Sequence, residues 1–402
     1  MIPSGVIHRR PRAVLALAAA TLALVPLLAL AAGVRFTYTL RTVTTGGALL
    51  GALSGAVGSF AVLRRQSLLG DALSHAALPG VGIAFLIAGR ELWALLLGAT
   101  LASLSGVWFI SVVTRRTRLK QDAAMGIVLA GWFAVGIGIL AFIQQRPDAS
   151  QAGLDTFIFG QAAAIVAQDI RILTGVALGS AIVMLANWKE FKLVSFDPEF
   201  AGANGYRVSA ITALLLLLIV IAVVVGLQLA GVVLMVGLLI APGIAARQWV
   251  RGLGPMVALA ALFGAIAGAT GAIASSLDTD LPTGPMIILI ASMIVLLSLL
   301  FAPGRGVIPV AVRHRRDRQR FAARTVLQTC HRYAESHGRR RVVVPGEFLT
   351  GVVGPAAERG IRELIGRGEL ERSANGYVLT SAGLSRVHDD SSRPSGDADA
   401  SG

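Results

Sequence analysis

The chain has 402 residues, 55% of them hydrophobic and only 14% charged, with a mean hydropathy of +0.72. That balance leaves too little polar surface for a soluble domain and excludes that class. The net charge is +14, and the single cysteine excludes an intramolecular disulfide.

A span needs about 20 mostly apolar residues to cross a hydrocarbon core of about 30 Å. Stretches of that kind lie near 13–33, 43–63, 68–89, 92–113, 123–143, 170–188, 208–226, 228–246, 255–275 and 282–302. About ten transmembrane helices are therefore predicted. The first run follows Arg9, Arg10 and Arg12 and also reads as a secretory leader, although it is long for one, and removing it would leave the remaining spans starting outside. The run Gly-Ala-Leu-Leu-Gly-Ala-Leu-Ser-Gly at 47–55 has the small-residue spacing that lets membrane helices pack closely.

Basic residues recur at every second boundary: Arg64 and Arg65 after the second run, Arg115, Arg116, Arg118 and Lys120 after the fourth, Lys189 and Lys192 after the sixth, Arg247 and Arg251 after the eighth. By the positive-inside rule both termini are expected in the cytoplasm of a multi-pass protein of the cytoplasmic (inner) membrane. Topology then accounts for the basic residues at these boundaries without nucleic acid.

Inside the third run stand Asp71 and His75, four residues apart and so on one face of a helix together with Ser67. Ionisable groups in hydrocarbon are costly and mark polar pathways. A carboxylate and an imidazole can together hold a divalent transition metal. Pro79 and Gly80 follow, where a helix bends or breaks. Two ligands are too few for a closed structural zinc site, as expected of an ion that must leave. With no cysteine in the membrane part, the O and N donors fit manganese, zinc or ferrous iron better than copper(I). The alternative for His75 is a structural hydrogen bond to a neighbouring helix.

Residues 144–169 interrupt the pattern. An external loop and then a surface or re-entrant helix over 154–167 are expected. The only lysines, Lys120, Lys189 and Lys192, lack the preceding glycine of a phosphate-binding loop, so this is not an enzyme with its own ATPase site. After Pro303 the composition changes: residues 305–372 hold fifteen arginines against seven acidic residues. A helix over about 317–336, a second element at 345–352, a helix over about 356–367 and a hairpin turning at Asn375-Gly376 are predicted, in the order of a winged helix. Cys330, His331, Glu335 and His337 are metal-competent and close in sequence, a candidate sensing group. The Ser, Asp, Gly and Ala-rich tail 388–402 reads as disordered.

Six ordered segments carry a family resemblance: Val-Leu-Arg-Arg-Gln-Ser-Leu-Leu-Gly-Asp-Ala-Leu-Ser-His-Ala-Ala-Leu-Pro-Gly ending at Gly80, Arg-Thr-Arg-Leu-Lys-Gln-Asp-Ala-Ala-Met-Gly-Ile at 116–127, Ala-Ser-Gln-Ala-Gly-Leu-Asp-Thr-Phe-Ile-Phe-Gly-Gln-Ala-Ala-Ala at 149–164, Ser-Phe-Asp-Pro-Glu-Phe-Ala at 195–201, Leu-Gln-Leu-Ala-Gly-Val-Val-Leu-Met-Val-Gly-Leu-Leu-Ile-Ala-Pro-Gly at 227–243 and Asp-Leu-Pro-Thr-Gly-Pro at 280–285. Over residues 38–303 the chain resembles the permease subunits of manganese, zinc and iron ABC importers. The resemblance implies an all-α polytopic fold of the vitamin B12/metal importer type and a transported divalent metal with no permanently bound cofactor. It implies ATP use by partner ATPase subunits, an extracytoplasmic metal-binding protein, and a second permease chain, the same or different. It places Asp155 and Gln161 near an outer vestibule. It likens 241–255, a cytoplasmic turn bounded by Pro242 and Pro255, to a coupling helix with Arg247, Trp249 and Arg251 meeting the ATPase; Phe196–Phe200 in the other cytoplasmic loop is a second contact. The segment around 364–383 resembles the wing of diphtheria-toxin-repressor-type regulators.

The expected organisation is residues 1–37 as N-terminus and extra first helix, 38–303 as the permease domain, 304–387 as a small cytoplasmic α+β winged-helix domain, and 388–402 as tail. A membrane-tethered metal-responsive transcription regulator and a permease for a metal chelate are the alternatives. Tethering weighs against DNA as the partner of the basic C-terminal domain and favours the ATPase or membrane lipid.

Overall fold

The structure, a computed structural model, describes residues 37–89, 91–145, 167–277, 281–303, 305–338 and 342–391. The expected first span at 13–33, and Asp155 and Gln161, lie outside them. The described residues fall into two compact units that divide between Arg305 and Gly306.

The first unit is helical: α1 (Tyr38–Leu63), α2 (Leu69–Ala88), α3 (Leu92–Arg116), α4 (Gln121–Gln144), α5 (Ala167–Ala186), the short α6 (Trp188–Phe196) and α7 (Pro198–Ala203), α8 (Val208–Trp249), α9 (Leu253–Ser275) and α10 (Thr283–Phe301). Among the described residues eight helices are long and apolar enough to cross a membrane, and Leu234–Trp249 is a shorter apolar one. The spans expected at 208–226 and 228–246 are thus a full-length helix, Val208–Leu227, and this shorter piece. They meet at Gly231, whose φ of 77° and ψ of 171° are not helical. A side chain would disfavour that φ, and glycine permits it. The chain folds sharply here: a Cβ placed on Gly226 would fall 1.9 Å from Met235 Sδ, although nine residues of straight helix span about 13.5 Å.

The centre of the bundle is α1 against α9. Thr37 caps α1 by accepting from Leu40 N. Gly47, Gly51 and Gly55 then present a side-chain-free stripe to Gly268, Gly264 and Ala260 of α9. Backbones meet directly along this seam, as the 47–55 spacing predicts. The core around it includes Leu50, Leu53, Val57, Phe60, Leu73, Met235 and Leu239.

The second unit begins with α11 (Val307–Ser336), followed by α12 (Gly346–Val353), a 3-10 turn (Gly354–Ala356), α13 (Ala357–Gly366), β1 (Leu370–Ser373), β2 (Gly376–Leu379) and α14 (Ser381–Ser391). β1 and β2 are antiparallel, with Leu370 opposite Leu379 and Ser373 opposite Gly376, and Val344 bridges to Tyr377. The two-residue loop is therefore Ala374-Asn375, one residue earlier than predicted. Gly376 opens β2 because any Cβ there would lie 2.2 Å from the Val344 carbonyl oxygen. Val326, Leu327, Cys330, Leu349, Ile361, Leu364, Leu370 and Leu379 form this unit's own core. α11 starts ten residues before the expected 317, and α14 carries helix past the expected boundary at 387 to Ser391.

Candidate functional site

Asp71 and His75 lie in the first two turns of α2. Their side chains meet: His75 Nε2 is 3.4 Å from Asp71 Oδ1, with 21% and 32% of the two side chains exposed. Two ligands each about 2.1 Å from a metal and 3.4 Å apart would subtend about 108° at the ion, close to tetrahedral. With Nε2–H directed at the carboxylate, Nδ1 would offer its lone pair, and Nδ1 is buried with no hydrogen-bond partner. The pair can thus share an ion, or the carboxylate can orient the imidazole for one. Among the described residues no third His, Cys, Asp or Glu completes a metal-binding group.

The scaffold around the pair is tight. Phe133 of α4 stands edge-on to the imidazole, ring centroids 4.8 Å apart. Ser103 Oγ of α3 donates to the Leu73 carbonyl at 3.1 Å. Pro79 lies inside α2 and cannot donate to the His75 carbonyl four residues back, so the backbone is loosened directly after the pair. Neighbouring helices close on that point: Gly80 meets Gly98 backbone to backbone, and Gly136 faces Leu78 and Pro79. Ser67, expected on the same face, instead lies in the turn before α2 and is exposed. In that turn Arg65 takes φ 57°, and desolvation by burial lowers the pKa of Arg64, whose Nη1 has no hydrogen-bond partner.

One end of the bundle gathers the basic boundaries. Phe60, near the end of α1, packs edge-on against Trp188 and Phe191 of α6 at 6.1 and 6.0 Å. A Cβ on Gly254 at the start of α9 would touch the Trp188 ring at 3.6 Å. Arg115 at the end of α3 reaches Ser209 Oγ at the start of α8. With its apolar side held this way, the α6–α7 segment leaves Phe196, Phe200 and Tyr206 exposed at 58%, 56% and 44%. Asp197 caps α7 by accepting from Phe200 N at 2.9 Å, and Pro198 fits the first helical position, so the Asp-Pro-Glu of the sequence starts a helix.

The expected turn over 241–255 is corrected. Helix runs through the buried Pro242 to Trp249 and resumes at Leu253 with Pro255 inside it, so the connection is only residues 250–252. Trp249 is tied inward, its Nε1 donating to Ser298 Oγ at 3.0 Å, and the Arg247 carbonyl accepts from Arg305. Arg251 is exposed.

Cys330, His331, Glu335 and His337 do not converge. Cys330 is buried in the core of its unit, and burial pushes its thiol up to about 12. His331 meets Glu335 at 3.2 Å on the helix surface, while His337 stacks on Tyr333. Cys330 and His331 point about 100° apart on the helix, and His337 lies seven residues beyond Cys330, about 10.5 Å of rise, which separates the thiol from both imidazoles.

Residues 36–302 match the ABC 3 transport family. The chain belongs to this family. As an ABC 3 chain it is 46% identical over 280 residues to "Zinc transport system membrane protein TroC" of Treponema pallidum (strain Nichols), covering 69% of this chain and 94% of that one. It is 44% identical over 296 residues to "Manganese transport system membrane protein MntC" of Bacillus subtilis (strain 168), covering 73% and 68%. Among solved structures, PsaBC from Streptococcus pneumoniae in complex with Fab superposes with a TM-score of 0.60 at 29% identity, over 68% of this chain and 95% of that one. The structure "An inward-facing conformation of a putative metal-chelate type ABC transporter" shares the fold alone, at 13% identity and a TM-score of 0.53.

Sequence reasoning missed Phe133, since one aromatic residue in an apolar helix carries no signal. The Asp-Pro-Glu that caps α7 is flanked in the sequence by Phe196 and Phe200.

Proposed function

We propose that this chain is the permease subunit of an ATP-driven importer of divalent transition metal ions, manganese, zinc or ferrous iron. The observation that carries the reading is the Asp71–His75 pair at metal-sharing distance, in a chain whose ABC 3 relatives are named for manganese and for zinc transport. An extracytoplasmic binding protein delivers the ion, a second permease chain faces this one, and water or that partner completes the coordination. Both ends of the chain lie in the cytoplasm, so the basic end of the bundle faces inward and the pair sits toward the exit of the pathway. The loosened backbone at Pro79 lets α2 move as the pathway opens to each side in turn. Asp155 and Gln161 remain assigned to the outer vestibule through the family resemblance.

The test is metal content. Cells lacking the chain should lose at least one of manganese, zinc and iron relative to cells expressing it, and uptake should depend on the partner ATPase. Unchanged content of all three, with the protein in the membrane, would overturn the reading.

The ATPase docks on the end that joins α6–α7 to the 250–252 turn. Phe196, Phe200 and Tyr206 supply apolar anchors, and Arg247 and Arg251 supply positive charge. Reversing both arginines is expected to leave ATP hydrolysis running while transport falls, and Phe200→Ala to weaken ATPase retention by roughly tenfold or more, as for a buried aromatic anchor. Crosslinks from the ATPase should map to residues 196–206 and to Arg251; crosslinks confined to other loops would refute the assignment.

We read the C-terminal unit as a winged helix, on its order of helix, bridging strand, two short helices, hairpin and helix. Short of DNA contact, it serves as an appendage to the transporter.

A further inference from the structure

The first half of α11 packs against no core. From Val307 to Phe321 no described side chain is buried, and the core of the C-terminal unit starts only at Ala322 and Ala323. A helix of this length is marginal in water without a packed face. This one exposes Val307 at 62%, Phe321 at 75%, and Ile308 and Val312 nearly half. The sequence also places arginine at 313, 315, 316, 318 and 320, with Asp317 the lone acid in the stretch. Arg313 and Arg318 are exposed. The last apolar span ends at Phe301, so the chain can carry Val307 no more than about 20 Å from that end.

Apolar side chains followed by a dense run of arginine, a few residues beyond a membrane-spanning helix, fit the boundary of an anionic bilayer. A soluble polyanion would use the arginines and leave the valines and Ile308 in water. We propose that residues 307–321 form a lipid-binding juxtamembrane helix, with Val307, Ile308 and Val312 at the acyl boundary and Arg313 and Arg318 on the phosphates of anionic lipid head groups. This helix would hold the start of the C-terminal unit at the membrane surface whichever metal the permease carries.

The test uses the full chain in lipid nanodiscs with Val312→Cys carrying an environment-sensitive fluorophore. Cys330 does not compete for the label, because it is buried and its thiol is pushed up to about 12. Discs containing phosphatidylglycerol should blue-shift the emission and permit quenching by nitroxide lipids, while phosphatidylcholine discs or high salt should abolish both. Arg313→Gln and Arg318→Gln should each lower the ratio of lipid-bound to free helix by about fivefold. Identical emission in both lipids would overturn the proposal. So would a probe that responds to duplex DNA or to the ATPase subunit and ignores phosphatidylglycerol.

Discussion

Replacing Asp71 or His75 by alanine is expected to abolish metal uptake while the protein still inserts and still binds its ATPase. The two side chains are 3.4 Å apart, and among the described residues no other His, Cys, Asp or Glu joins them. Either substitution therefore removes half of the donor set that these side chains offer. Changes to groups that merely orient a ligand cost about 10- to 100-fold in metal-site function, so loss of a ligand should cost at least about 100-fold. His75→Ala also removes the edge-on contact with Phe133, a packing loss of about 1 kcal/mol. Asp71→Asn separates chemistry from packing, because it keeps the shape of the side chain and removes the charge. It should transport as poorly as Asp71→Ala. Uptake is read with radiolabelled manganese and zinc at equal membrane abundance, with ATPase retention measured in parallel. Wild-type uptake in the double alanine variant would remove this pair from the pathway.

The legible parts of this molecule were those encoded over short distances. Apolar runs mark spans whatever their neighbours do, and all eight long helices fall on predicted runs. The four-residue spacing of Gly47, Gly51 and Gly55 announced a close helix contact, though not that α9 would supply the other side. Asp71 and His75 met because i and i+4 share a face on any helix. Pro242 and Pro255 bound the expected turn, but Pro242 lies inside α8, where neighbouring helices can satisfy the backbone group it frees, and Pro255 is the third residue of α9, where a missing N–H costs no intrahelical bond. The division of 208–246 into two runs was legible, but not that it falls at Gly231 or that the second piece is short, since hydropathy does not register φ. The early start of α11 was missed because apolar periodicity was the signal sought, and this stretch is helical while burying nothing.

Gly51→Val should be the most damaging substitution in the membrane unit. A Cβ on Gly51 would stand 2.0 Å from the Gly264 carbonyl oxygen, and one on Gly264 would stand 2.0 Å from that of Gly51. Carbon and carbonyl oxygen rest at about 3.3 Å or more, so α1 and α9 would have to part by more than about 1 Å. The obstacle is backbone on both sides, which cannot rotate away as a side chain can. Nor would the parting stay local, because Gly47 against Gly268 and Gly55 against Ala260 lie on the same seam one turn to either side. A gap of that size forfeits about half or more of the dispersion energy of each contact along the seam. The loss should therefore reach or exceed the upper end of the usual overpacking range, about 3 kcal/mol. Gly51→Ala should show a smaller loss of the same kind, and Gly264→Ala should match it. Combining Gly51→Ala with Gly264→Ala should worsen the defect, since both changes add volume to one contact. Gly131→Ala is the control: an added Cβ there meets nothing within 4 Å, so thermal stability in detergent should not fall, and the helix preference of alanine should raise it by up to about 1 kcal/mol. Thermal unfolding monitored by tryptophan fluorescence, together with the yield of monodisperse protein, decides the matter; a Gly51→Val chain as stable as wild type would mean that α1 and α9 do not meet through this seam.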